Sequence, residues 1–86
     1  MDHPLKLNSE FFKVVATGEK SFEVRRDDRP FEPGDTLHLM EWIPDQERHT
    51  ERFIRAEITY ILRGDDAVKY GILPGYCVLS IAVSRV

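Results

Sequence analysis

Apolar and polar residues alternate along this chain in short runs separated by turn residues. Leu5 and Leu7 alternate with Lys6 and Asn8, and Pro4 suits a strand start or a sheet edge, where no ladder bond needs its missing N–H. Asn8 or Ser9 then caps a helix running from Glu10 to about Thr17. With Asn8 as the cap, Leu7 and Phe12 take the two ends of a hydrophobic staple. Phe11, Phe12, Val14 and Val15 gather near one helix face. Gly18 follows as a left-handed C-terminal cap. Two turns are too short to stand alone in water, so this helix must pack on something.

Lys20 to Arg25 alternates again, which predicts a half-buried strand. Phe22 and Val24 are expected to face the core, with Ser21, Glu23 and Arg25 on the other side. Arg26 to Pro30 is a charged loop, and Glu32-Pro33-Gly34-Asp35 is a tight turn of type II composition. Thr36 to Trp42 is a strand with apolar residues on both faces. Residues 43–51 are polar and contain Pro44-Asp45, so they are expected to form a loop. Arg52 to Leu62 is the clearest strand, with Ile54, Ala56, Ile58, Tyr60 and Leu62 on one apolar face. A helical turn at Asp65–Tyr70 precedes a last strand carrying Cys77, Leu79, Ile81 and Val83.

This order predicts a single domain over residues 1–86, mainly β with one or two short helices (α+β). One short helix cannot cover both faces of a five-stranded sheet. A small, curved, partly closed β-barrel with the helix plugging one end solves that burial problem and limits open edges.

Composition narrows the function classes. No apolar run approaches the roughly 18 residues of a membrane helix, so no membrane role is expected. The opening Met-Asp-His-Pro shows no signal-peptide pattern, and a cytoplasmic location is the expectation. One cysteine cannot form an intrachain disulfide or a cysteine-based zinc site. His3, His38 and His49 lack metal-ligand spacing, so no metal is expected. No Walker A or GxGxxG pattern is present, and no cofactor is expected. The net charge of −3 argues against a broad cationic coat for nucleic acid. The bases are nevertheless skewed to arginine, eight against four lysines. Arginine suits planar recognition of phosphate or carboxylate.

The stretch from Gly18 to Arg25, running into Asp27-Asp28-Arg29, is the richest in chemistry. A lysine, a carboxylate and a guanidinium on one short strand can bind a polar ligand or move a proton. By spacing alone, a surface ladder of ion pairs is the favoured reading. Asp27 and Asp28 are expected to pair with Arg25, Arg26 or Arg29. Trp42 and Tyr76 are core or rim aromatics by default. Tyr76 follows Pro74-Gly75 in a loop of the kind that reaches a cleft, where it would stack a base. Cys77 is expected to be a buried, inert thiol.

Gly18-x-Lys20-Ser21-x-Glu23-x-Arg25 resembles the G-x-K-x-x-E-x-R signature of ASCH domains, small members of the PUA-like superfamily. The likeness continues in order through Leu5-Lys6, Phe12, Asp28-Arg29-x-Phe31, Gly34-Asp35, Glu41, Ile58 to Leu62 and Pro74-Gly75-Tyr76. It covers nearly the whole chain and is similar to short stand-alone ASCH-like proteins of bacteria and phages. The resemblance implies a PUA-like barrel with a cleft beside the first helix and second strand. It implies an RNA or modified-nucleoside ligand in that cleft, met by Lys20, Ser21, Glu23, Arg25, Arg29 and Tyr76.

One ASCH branch consists of small amidohydrolases that deacetylate N4-acetylcytidine. There the position of Lys20 is a lysine, a threonine follows three residues on, and a glutamate lies downstream. Here the third position is Glu23, and only Glu57 and Asp65 are candidates for the downstream acid. In that alternative Lys20 and Glu23 would be catalytic. A further alternative is a protein-interaction module whose charged strand meets a partner.

Overall fold

The computed structural model describes residues 1–84. Its elements follow in chain order as β1 (Asp2–Asn8), α1 (Ser9–Ala16), β2 (Phe22–Arg26), β3 (Thr36–Ile43), β4 (Arg48–Leu62), α2 (Gly64–Val68) and β5 (Tyr76–Val83). The strands make one sheet in the order β1-β3-β4-β5-β2. β1 runs parallel to β3, and the other pairs are antiparallel. The sheet curls into a half-barrel, as the alternation predicts for a mainly β chain with two short helices. Among the described residues, no helix is long and apolar enough to cross a membrane.

The core fills the concave side. Leu5 and Leu7 of β1, Leu37 and Leu39 of β3, and Ile54, Ala56 and Ile58 of β4 point inward. Cys77, Leu79 and Ile81 of β5 join them, with Phe31 from the β2–β3 connection. Helix α1 lies against this cluster through Phe12 and Val15. Each such burial contributes about 1.5–3 kcal/mol, enough to hold a two-turn helix that would melt alone. Asn8 stands at the cap position, but its side chain makes no capping bond.

Two tight turns behave as their glycines require. Gly18 has φ +84°, and the Lys20 N–H donates back to the Val14 carbonyl at 2.9 Å. Gly34 has φ +95°, with the Asp35 N–H donating to the Glu32 carbonyl at 3.0 Å. Both conformations cost little for glycine and more for any residue with a Cβ.

Two expectations are corrected here. Residues 43–51 are not all loop. A 3-10 turn at Pro44–Gln46 reverses the chain, and β4 begins at Arg48. Arg48 pairs with Ile43 and His49 with Trp42, in a hairpin end that projects beyond the core and so carries polar residues. On β4, Ile54, Ala56 and Ile58 alternate inward as expected, but Tyr60 does not continue the face. The β4–β5 register shifts between Ile58 and Tyr60. That irregularity breaks the period of two, leaving Tyr60 61% exposed and Leu62 half-buried.

The two sheet edges are β1 and β2, and side chains span the seam between them. Arg25 Nη2 of β2 donates to the Lys6 carbonyl of β1. Arg29 Nη1 donates to the Pro4 carbonyl at 3.4 Å. Guanidiniums therefore cap carbonyls that a closed barrel would satisfy with a backbone ladder.

Candidate functional site in the seam between the sheet edges

Register fixes which residues of β2 look inward. Glu23 pairs with Leu79, and Arg25 pairs with Cys77. Cross-strand partners share a face, and Leu79 and Cys77 are fully buried. Glu23 and Arg25 therefore occupy the interior face, while Phe22 and Val24 turn outward and are 45% and 50% exposed. This reverses the expectation that Phe22 and Val24 face the core. The physical reason is the open seam. At this edge the interior is a cleft, so Glu23 and Arg25 can point inward as polar side chains, while Phe22 and Val24 border the same cleft from its exposed side.

The cleft has a volume of about 430 Å³ and lies between β1, α1 and β2. That is within the usual range of roughly 300–1,000 Å³ for small-ligand sites. Glu23 forms its centre and is only 5% exposed. Its Oε2 accepts from Lys20 Nζ at 2.7 Å, and its Oε1 accepts from Arg25 Nη2 at 3.1 Å. Lys20 Nζ also donates to the Phe22 carbonyl at 2.9 Å. The same ammonium lies 5.1 Å from the Phe11 ring and 4.8 Å from the Phe22 ring. Local sequence explains this placement. Gly18 ends α1 abruptly, the chain turns, and Lys20 stands two residues before β2 begins and three before Glu23.

Lys20, Glu23 and Arg25 thus converge, while the other sequence candidates divide. Ser21 is exposed and does not line the cleft; its carbonyl accepts the Ile81 N–H at 3.0 Å. Tyr76 pairs in register with Arg26, whose guanidinium sits 5.4 Å over its ring. Both belong to the convex face, so Tyr76 is not brought to the cleft. Arg29 lines a smaller adjoining hollow, which shares Arg25 with the cleft. Glu57 and Asp65 are exposed, and neither lines the cleft. The sequence reading missed Lys6, Leu7, Asn8 and Phe11, which line the cleft together with Phe22 and Val24. Lys6 carries a signal in hindsight, since it alternates against Leu5 and Leu7. Phe11 carries none, because a phenylalanine beside Phe12 reads as core.

Other buried or half-buried carboxylates are committed elsewhere. Glu41 accepts from Arg52 Nε and Nη2 and from the Thr50 hydroxyl, each at 2.8 Å. Arg52 holds its carboxyl below the usual range, with Thr50 assisting. Asp35 accepts from His3 at 2.7 Å and from the Glu32 N–H at 3.1 Å, and the His3 bond pulls its carboxyl down. Asp27 was expected to pair with a neighbouring arginine; it is instead gripped by Arg63 at 2.9 and 2.5 Å. That bidentate contact lowers its carboxyl, because a guanidinium fork matches a carboxylate better than a near neighbour in sequence can reach. Burial pushes the Cys77 thiol up to about 11, consistent with an inert core residue.

Comparison with known sequences adds a family. Residues 2–81 match DUF3850, described as a domain of unknown function. The chain belongs to the DUF3850 family. The match takes in β1 and β2, both edges of the cleft, and most of β5. This DUF3850 chain is also similar to an uncharacterized 12.9 kDa protein in the GpA 3′ region of Escherichia phage P2. The two are 44% identical over 57 residues, 66% of this chain. The chain covers 50% of that relative's length.

Proposed function

We propose that this chain binds RNA or a modified nucleoside in the β1–β2 cleft, as the resemblance to ASCH domains of the PUA-like superfamily implies. The observation that carries the reading is the convergence of Lys20, Glu23 and Arg25 in one concave, aromatic-edged opening. Glu23 keeps unused lone pairs and would accept from a base amino group, as carboxylates do from cytosine N4. Lys20 and Arg25 would meet ring acceptors or phosphate. Phe11 and Phe22 offer faces for stacking. An acidic protein with one such pocket would select a base locally rather than coat a strand.

The test is titration of short RNAs and modified nucleosides, followed by calorimetry or NMR. Saturable binding is expected, lost in Lys20→Ala and Arg25→Ala. Phe11→Ala should cost about 1–3 kcal/mol, the worth of one stacked base. Tyr76→Ala should bind like the parent, since that ring lies on the other face. Binding unchanged in Lys20→Ala, or no binding to any member of the panel, overturns the proposal.

The amidohydrolase alternative would use the Lys20–Glu23 contact of 2.7 Å. Release of cytidine from N4-acetylcytidine, abolished by Lys20→Ala, would favour it. It ranks second because neither Glu57 nor Asp65 lines the cleft.

A further inference from the structure

The seam holds two hollows, and Arg25 lines both. The second has a volume of about 120 Å³ and is bounded by Leu5, Arg26, Asp28, Arg29 and Phe31 as well as Arg25. Its charge balance differs from that of the cleft. In the cleft, the Glu23 carboxylate answers both Lys20 and Arg25. In the hollow, the carboxylate of Asp28 stands 3.8 Å from Arg29, beyond hydrogen-bond distance, and its side chain is 60% exposed.

The donors there are largely unspent. A guanidinium carries five N–H donors. Among the described residues, Arg29 makes one long hydrogen bond, to the Pro4 carbonyl. Both side-chain bonds of Arg25 leave from Nη2. Of the three arginines that line this hollow, Arg26 is turned over the Tyr76 ring, and Arg25 and Arg29 are left with free forked donors beside a space too small for a second base and sugar. Planar forks of this kind match phosphate oxygens.

We propose that this hollow is a phosphate subsite, so that the seam takes a nucleotide rather than a bare nucleoside. The inference rests on the base-binding reading above. The base would lie beside Lys20 and Glu23, and its phosphate on Arg29 and the far side of Arg25. Spacing supports the pairing. Leu7 lines the cleft and Leu5 the hollow, two strand residues or about 7 Å apart. That matches the span between a nucleobase and the phosphate of its own nucleotide.

Calorimetry should compare the four ribonucleosides, their 5′- and 3′-monophosphates, and inorganic phosphate, against the parent and Arg29→Gln. At least one monophosphate should bind about tenfold tighter than its nucleoside, the worth of one charge-assisted hydrogen bond. Arg29→Gln should erase that advantage, and circular dichroism should show the variant folded. Equal affinity for nucleoside and monophosphate, or an advantage that survives in Arg29→Gln, overturns the subsite while base binding stands. Binding of inorganic phosphate with no nucleotide preference overturns the coupling to a base. No binding of any of these ligands overturns the subsite, and the base-binding reading falls with it only if the short RNAs and modified nucleosides also fail to bind.

Discussion

Glu23 and Glu41 invite comparison. Both are inward-facing glutamates on strands, 5% and 3% exposed, and both are held by an arginine. Their partners differ in geometry. Arg52 grips Glu41 with two parallel bonds, Thr50 adds a third, and the guanidinium lies 4.3 Å over Phe12. That network is closed. Glu23 is instead held by two cations approaching separately, one bond each, at the wall of an open cleft. Burial of an arginine-held carboxylate therefore does not mark a site by itself. What separates the two carboxylates is whether a ligand can reach the unspent acceptors.

The largest expected effect comes from removing one cation on each side. Arg52→Ala leaves Glu41 buried with only the Thr50 hydroxyl, and removes the cover over Phe12. An uncompensated buried charge is strongly destabilising. Lys20→Ala leaves Glu23 still paired with Arg25 and close to the water of the cleft. Thermal unfolding should show a much larger loss of Tm in Arg52→Ala, whereas Lys20→Ala should lose ligand binding. A Tm loss in Lys20→Ala equal to that of Arg52→Ala would break the distinction between the two regions.

Acid titration sharpens the same contrast. Glu41 is held below its ordinary value of 4.5, and Asp27 and Asp35 below theirs of 3.8. A carboxylate whose folded pKa is depressed stabilises the fold above its unfolded pKa. That stability is lost as pH falls through the folded value. Tm should therefore decline as pH falls below about 4.5, and the decline should be shallower in Arg52→Ala, where Glu41 keeps only the Thr50 hydroxyl and contributes less. Parallel declines in the parent and Arg52→Ala would contradict the assignment.

The smallest effect is expected at Gly18. A Cβ added there meets nothing within 4 Å. Gly18→Ala thus costs only backbone strain at φ +84°, about 1 kcal/mol, or roughly 4–8 °C in Tm. Because this turn aims Lys20 at Glu23, the variant should weaken ligand binding while leaving the Glu41 network intact. Parent-like binding in Gly18→Ala would show that the turn does not position the lysine.

The sequence carried much of this fold and part of the site. The succession of strands along the chain, the helix, the left-handed glycine after it and the Pro33-Gly34 turn were legible because short-range chemistry decides them. The parity of β2 was not. Alternation assigns apolar residues to the core, yet Glu23 and Arg25 point inward because their register partners are Leu79 and Cys77. Only long-range pairing fixes that. The same holds at Tyr60, where a register shift overrides a clean period of two. Motif residues were found through resemblance, while Phe11 and Tyr76 changed places in importance. A helix residue beside a core aromatic gives no sign of which neighbouring strand will leave it half-exposed.

The edge position of β2 also bears on how the protein assembles. Phe22 pairs with Ser80 and Arg26 with Tyr76, partners 58 and 50 residues apart. Contacts of such sequence separation close late, because their loop entropy must be overcome first. The cleft wall is therefore among the last parts to form, and a bound ligand reports complete folding. Ligand at about a hundred times its Kd would add roughly 2.7 kcal/mol to the native state alone. A nascent chain that stops short of Tyr76 carries the whole motif from Gly18 to Arg25 and no cleft to put it in.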